Sequence, residues 1–326
     1  MTATASRLPP APGSPSREAL LARIPGLVAG IAKGAAQRDL DRQLPFEAFQ
    51  LFRESGLGAL RVPVELGGPG GTIPDYIELI AALGSADSNV AHALRSHFNY
   101  VENLVLSSPD QRDAGAIERV LAGKLFGGAH TEQGTARPGQ VTTTITRRGA
   151  SWRLNGRKWY ATGTAFADYA SFSAVNEDGE TVGVLLPVDR PGIRILDDWD
   201  GMGQKLTASG GVILEDVEVF EHEFARRSLE NQVGRHCSTL RQLHLAASAA
   251  GAVRNVLSDG IDYVRRQARS AAHSPAETAR EDHFAQQAIG EIAANSLAID
   301  TLVAEGARAL QHTADTFATG DADAIE

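Results

Sequence analysis

From Arg17 to about Leu121 apolar residues recur at helical spacing, broken where glycine and proline cluster at residues 62–71, so the segment reads as all-α. The clearest stripe follows Asp87 and Ser88, residue types that cap helix N-termini, and runs through Val90, Leu94, Val101 and Leu104 with His97 on the same face. Between about Lys124 and Val219 the pattern shortens to β-branched runs at residues 141–145, 152–154, 181–186 and 212–214, separated by Gly, Asn and Asp. Residues 152–160 predict two strands joined through an Asn155-Gly156 turn. Past Phe220 helical spacing returns in Leu240, Leu243, Ala247, Ala250, Leu257, Ile261 and Val264, interrupted on that face by Arg254. A second stripe, Ile289, Ile292, Ile299, Val303, Ala307 and Leu310, has Ser296 in its gap. Two such helices bury their stripes only as part of a bundle.

The organisation expected is therefore α+β and multidomain. Residues 1–16, with Pro9, Pro10, Pro12 and Pro15, form a loose leader; 17–123 an N-terminal α-helical domain; 124–222 a central antiparallel β domain; 223–326 a partial C-terminal helical bundle. No closing helix pair is visible before Glu326, so a partner or further sequence is expected to supply the missing surface.

The 326 residues, 43% hydrophobic, suffice for a large core. A net charge of -9, from 31 basic and 40 acidic residues, argues against nucleic acid or an anionic membrane as partner. The single Cys237 excludes an intrachain disulfide framework and fits the cytoplasm, and no run is long enough to span a bilayer. The nine histidines and one cysteine lack metal-binding spacing. Gly-x-Ser-x-Gly, a Walker loop and Gly-x-Gly-x-x-Gly after a strand are all absent, which removes the usual support for hydrolase, nucleotidase and Rossmann readings.

Four stretches carry a resemblance. Residues 52–57 with Pro63 and Gly67-Gly68 come first, followed by Ala129-His130-Thr131-Glu132-Gln133-Gly134. Then come Asn155-Gly156-Arg157-Lys158-Trp159-Tyr160-Ala161-Thr162-Gly163 with Ala167-Asp168, and residues 201–210 with Glu215-Asp216-Val217. In this order, with the helix, β, helix succession, the chain resembles the acyl-CoA dehydrogenase superfamily over nearly its whole length. The resemblance implies a flavin whose polar ring edge meets Thr131, Thr162, Thr207 and Ser209 and whose face is covered by Trp159. Those hydroxyls also suit turns and strands, and Trp159 also suits a core.

A dehydrogenase needs a carboxylate base. Where some members carry it, at the start of the first C-terminal helix, this chain has Arg241 and no carboxylate nearby; other members carry it further along, at positions beyond Glu326. The variants at 162–168 and 203–210 are more similar to the dibenzothiophene and sulfone monooxygenase branch. That branch implies reduced FMN, with FAD the alternative, supplied by a separate NAD(P)H-dependent flavin reductase. It implies oxygenation of a small heteroatom-containing or aromatic substrate through a C4a-(hydro)peroxyflavin, in a homotetramer arranged as a dimer of dimers. His97 and Thr162 are then the expected catalytic residues, and Asn99 and Tyr100 expected substrate or flavin contacts. Arg254 is read as a flavin-phosphate ligand or an interhelical ion pair, and Arg265, Arg266, Arg269 and His273 as a phosphate site or a complement to the helix dipole. The rival functions are an FAD-dependent acyl-CoA dehydrogenase and a non-catalytic paralogue acting as a binding or assembly subunit.

Overall fold

The computed structural model describes residues 15–108, 112, 115–225 and 232–319. The expected leader lies outside the described residues except for Pro15 and Ser16. Eight helices come first: α1 (Arg17–Leu21), α2 (Ile24–Ala32), α3 (Ala35–Leu40), α4 (Phe46–Ser55), α5 (Ile73–Ala86), α6 (Ser88–Ala93), α7 (Arg95–Leu106) and α8 (Ala116–Leu121). Strands β1 (Phe126–Ala129), β2 (Thr144–Arg148), β3 (Ser151–Lys158), β4 (Tyr169–Val175), β5 (Thr181–Pro187), β6 (Ile193–Ile195) and β7 (Val212–Val219) follow. The long helices α9 (Gln232–Arg266) and α10 (His283–Thr319) end the described chain. None of the described helices is long and apolar enough to cross a membrane.

Local chemistry accounts for the helix starts. Thr72 caps α5 in a reciprocal capping box with Asp75, and Arg17 grips the same carboxylate through two 2.7 Å bonds. Asp87 caps α6 as its sequence position predicts. The apolar stripe from Val90 to Leu104 is buried, but it belongs to two helices rather than one, with the break at Leu94. At that break a histidine from α9 meets the chain. His244 Nε2 lies 2.8 Å from the Ala91 carbonyl, the group that would otherwise accept from the Arg95 amide and continue the helix. That carbonyl only accepts, so His244 Nε2 carries the proton and Nδ1 accepts from the Tyr76 hydroxyl at 2.5 Å. Burial pushes the ring pKa down to about 3, keeping it neutral.

Helices α5 and α9 pack backbone to backbone. A Cβ on Gly251 would stand 2.1 Å from the Ala81 carbonyl oxygen, and one on Gly84 2.5 Å from that of Ser248. The helical core gathers Leu20, Phe49, Phe52, Tyr76, Leu240, Ala247 and Val303, and it also takes in Phe166 and Ala208 from loops of the β domain.

The seven strands form one sheet in the order β1-β4-β2-β3-β7-β6, with β5 added on β4. Most pairs are antiparallel, as expected, but β1 runs parallel to β4, and β2 touches β4 in parallel through Thr144 and Val175. The Asn155-Gly156 pair does not turn. Residues 151–158 are one strand, and the register against β7 slips between Leu154 and Gly156. A side chain on Gly156 would meet Thr143 Oγ1 at 2.4 Å, so the glycine serves a bulge and a close neighbour. The reversal comes earlier, between the paired Arg148 and Ser151.

Gly251→Ala should lower stability by about 3 kcal/mol through overpacking at the α5–α9 contact, read as the urea midpoint at unchanged slope. A loss below about 0.5 kcal/mol, the size of a surface substitution, would mean the helices do not approach this closely.

Candidate active site

Two loops of the β domain are tied together by a buried ion pair. Lys158, at the end of β3, is fully buried and reaches Glu132 Oε1 at 2.6 Å. Glu132 accepts further bonds from the Thr143 amide at 3.0 Å, the Thr143 hydroxyl at 2.7 Å, the Thr142 amide at 2.8 Å and the Thr142 hydroxyl. Burial alone would raise its pKa, but Lys158 and the threonines reverse that and hold it at about 2. Next to this tie Thr131 and Trp159 bond reciprocally, the Trp159 amide to the Thr131 carbonyl at 2.9 Å and the Thr131 hydroxyl to the Trp159 carbonyl at 2.7 Å. His130 stands one residue earlier, its Nδ1 2.7 Å from Ser173 Oγ and its Nε2 3.1 Å from Ser171 Oγ.

Three residues beyond Trp159 a row of hydroxyls begins. Thr162 Oγ1 is 2.7 Å from Ser209 Oγ, which is 2.8 Å from Thr207 Oγ1, which donates to the Gln204 carbonyl at 2.9 Å. All three side chains are buried. Because the carbonyl only accepts, the whole row is oriented: Thr207 donates to Gln204, Ser209 to Thr207 and Thr162 to Ser209. Thr162 Oγ1 is thereby left with acceptor capacity.

Gly163 follows in the left-handed region at φ 76°, and a Cβ there would lie 2.2 Å from the Ala93 carbonyl, so α6 presses directly on this segment. Tyr160, Gln204 and Ala208 also have positive φ, 61°, 36° and 49°, which concentrates uncommon non-glycine conformations in these loops.

α6 contributes His92. Its Nδ1 is 2.6 Å from Gln204 Oε1, and the same amide donates through Nε2 to the Ser88 carbonyl at 3.1 Å, fixing the amide orientation. His92 Nδ1 therefore carries the proton and Nε2 is unprotonated, with no bonding partner among the described residues. Burial lowers its pKa, Gln204 raises it and Arg95 lowers it, so the ring is neutral near pH 7.

Thr131, Trp159, Thr162, Thr207 and Ser209 thus lie in three loops, after β1, after β3 and before β7, joined by these bonds. His97 is buried, with Nε2 2.9 Å from the Gly58 carbonyl, Nδ1 without a partner among the described residues and its ring packed against Phe98 and Phe126. Its proximity to the hydroxyl row does not follow from the stripe, because the break at Leu94 separates it from α6. The Tyr100 ring is stacked on Phe126 at 4.1 Å, and the Asn99 carbonyl accepts from the Asn103 side chain at 2.8 Å. The Arg254 guanidinium is taken up by Glu78 at 2.7 and 3.0 Å and by Asp300 at 2.9 Å, making it an interhelical ion pair. Sequence reasoning missed His92, five residues before His97, and Tyr160, whose exposed ring stands edge-on to Trp159 and Trp199.

The family model for the N-terminal domain of acyl-CoA dehydrogenases matches residues 23–122, and that for the middle domain matches residues 127–217. The chain belongs to the acyl-CoA dehydrogenase family. A putative acyl-CoA dehydrogenase of Bacillus subtilis, YdbM, is 30% identical over 195 residues, 58% of this chain and 51% of its own. A probable FMNH2-dependent monooxygenase of Pseudomonas putida, SfnC, is 26% identical over 290 residues, 87% of this chain and 72% of its own. Among solved structures, FMN-bound TdsC of Paenibacillus sp. A11-2 superposes with a TM-score of 0.81 at 27% identity, covering 90% of this chain and 76% of that one. TdsC is a dibenzothiophene monooxygenase. The chain thus spans between about half and three quarters of the length of these acyl-CoA dehydrogenase family members.

Lys158→Met should cost about 3–5 kcal/mol by leaving Glu132 buried and unpaired, measured by urea unfolding. A loss under about 1 kcal/mol, the scale of an exposed pair, would contradict the buried tie. The parent should also lose stability as pH falls from 6.5 toward 4. Burial depresses His97 to about 4, so between those values the unfolded chain binds a proton that the folded one refuses. A thermal midpoint that stays level across that window would contradict a neutral, enclosed ring.

Proposed function

We propose that this chain carries the flavin site of a monooxygenase that uses reduced FMN and O2 on a small heteroatom-containing or aromatic substrate. The observation that carries the reading is the oriented hydroxyl row ending at Thr162, beside a neutral His92 with an unprotonated Nε2. When bound, reduced FMN supplies the two electrons that activate oxygen.

The residues present fit that group. Thr162 Oγ1 would accept from an N–H of the ring edge, and the row behind it stops the hydroxyl from turning. Trp159 and the exposed Tyr160 offer aromatic cover, and the reciprocal Thr131–Trp159 bonds hold that segment in place. His92 takes up or hands on a proton at Nε2, with Gln204 fixing its tautomer. FMN is favoured over FAD by likeness to the FMN-bound TdsC structure and to SfnC.

The absence of a nicotinamide-binding glycine loop supports a separate NAD(P)H-dependent flavin reductase as the electron source. Exposed Val256, Tyr263, Leu297 and Leu302 on α9 and α10 support a homotetramer that covers them, and the single cysteine supports a cytoplasmic setting. Residues 235–247 of α9, Arg241 among them, contain no Asp or Glu, which weighs against the acyl-CoA reading.

Mixing the protein with photoreduced FMN and oxygen over a panel of thioethers, sulfinates and arenes, dibenzothiophene among them, tests the proposal. Oxygenated product is expected. His92→Ala should cut its rate by about 10²–10⁴-fold, divert oxygen to peroxide and leave flavin binding intact. Thr162→Val should weaken binding of reduced FMN where Thr162→Ser keeps it. Reduction of bound FAD by an acyl-CoA without NAD(P)H, or no flavin binding in either redox state, would overturn the reading.

A further inference from the structure

Most buried or half-buried arginines among the described residues are matched to carboxylates, as Arg38 to Asp87, Arg53 to Asp168, Arg61 to Glu102 and Arg254 to Glu78. Of the others, Arg112 donates to the Leu104 and Val105 carbonyls and Arg119 lies over the Tyr169 ring. Arg95 and Arg241 have neither substitute. Both are half-buried, and neither guanidinium reaches an Asp or Glu among the described residues. Arg241 makes a 3.2 Å bond from Nη2 to Ser238 Oγ, and its buried Nε has no partner.

The two come from different elements, Arg95 from the first position of α7 and Arg241 from α9 one turn before His244. His244, one turn after Arg241, meets the Ala91 carbonyl, one turn before Arg95, and His236 lies 3.4 Å from Glu102 Oε1, so α9 runs antiparallel to this stretch and brings Arg241 level with Arg95. In keeping with that, burial lowers the Arg95 pKa and Arg241 lowers it further, with Tyr76 offsetting this in part. Arg95 also bears on His92, and Arg241 and Lys158 on His130. No carboxylate contributes at Arg95, His92 or His130.

A chain with a net charge of -9 has abundant carboxylates to place here, yet this corner is left positive. Two guanidiniums withdrawn from water without a counter-ion are unfavourable in the ligand-free chain, and their planar forks match an oxyanion. We propose that Arg95 and Arg241 form the recognition site for an oxyanion carried by the substrate, a sulfinate, sulfonate or carboxylate, with His130 at its edge. The assignment of that oxyanion to a substrate rests on the monooxygenase reading. The flavin's own phosphate has the same chemistry, but it lies beyond the ribityl chain, away from the ring. Arg95 instead stands three residues after His92, which bonds the Gln204 side chain at 2.6 Å, and the Gln204 carbonyl anchors the hydroxyl row.

Calorimetric titration of the FMN-loaded full chain with benzenesulfinate, benzoate and the uncharged methyl phenyl sulfone tests this. Both anions should bind at least about tenfold more tightly than the sulfone, the worth of a charge-assisted hydrogen bond. Arg95→Gln and Arg241→Gln should each lose about that factor for the anions alone, with Arg95→Lys and Arg241→Lys retaining part of it. Equal affinity for the sulfone, or anion affinity unchanged in folded glutamine variants, overturns the proposal. Should a glutamine variant fail to fold, the lysine variant carries the comparison, and anion affinity identical to the parent counts against the site. Variants that lose FMN but keep riboflavin would assign the arginines to the flavin phosphate, which also overturns it. If the chain binds no flavin at all but still separates sulfinate from sulfone, the monooxygenase reading falls and the oxyanion site stands.

Discussion

The candidate site depends on one buried pair. Lys158 and Glu132 are withdrawn from water, and a charge so placed is tolerated only when its partner and its remaining hydrogen-bonding capacity are both satisfied. Here they are, because Thr142 and Thr143 bring amides and hydroxyls to the same carboxylate. The pair joins the loop after β1 to the end of β3. The positions of Thr131, Trp159 and the segment leading to Thr162 follow from that junction. Such a tie contributes less to net stability than to uniqueness, since any other register would strand a charge.

The order of layers was legible because it is written in hydrophobic period, a property of single elements. The hydroxyl cluster was legible only through resemblance, since Thr162, Thr207 and Ser209 are individually indistinguishable from turn and strand residues. What escaped depends on contacts between distant parts of the chain. Asn155-Gly156 has the preferences of a turn, and only the approach of Thr143 makes it a bulge. The stripe from Val90 to Leu104 looks continuous, and no local residue announces the break, where His244 of α9 meets the Ala91 carbonyl. His97 and His92 fall on either side of it, His97 against Phe126 of β1 and His92 against Gln204, so spacing along one stripe could not tell their surroundings apart. Arg254 met the blander of its two readings for a related reason: Glu78 and Asp300 are remote in sequence and adjacent in space.

Three histidines, His244 and His97 buried and His92 half-buried, illustrate how one residue type takes different roles. His244 stabilises a carbonyl orphaned at a helix break, and His97 closes on Gly58 inside an aromatic cluster. His97 and His92 each keep one ring nitrogen without a bond to the described chain, Nδ1 in the sealed His97 and Nε2 in the half-buried His92. Burial disfavours the charged form in each, so what separates these two is exposure rather than acidity.

Phe166 and Ala208, from the loops flanking the hydroxyl row, lie inside the helical core, and Arg53 on α4 holds the Phe166 carbonyl at 2.5 Å. The sheet is therefore not a separate body hinged on the helices. Swinging one against the other would drag an aromatic ring, stacked on Phe49 at 4.1 Å, out of its socket. What is left free to rearrange beside the hydroxyl row is confined to exposed side chains at the loop tips, such as Tyr160 and the fully exposed Met202, while the two layers stay locked.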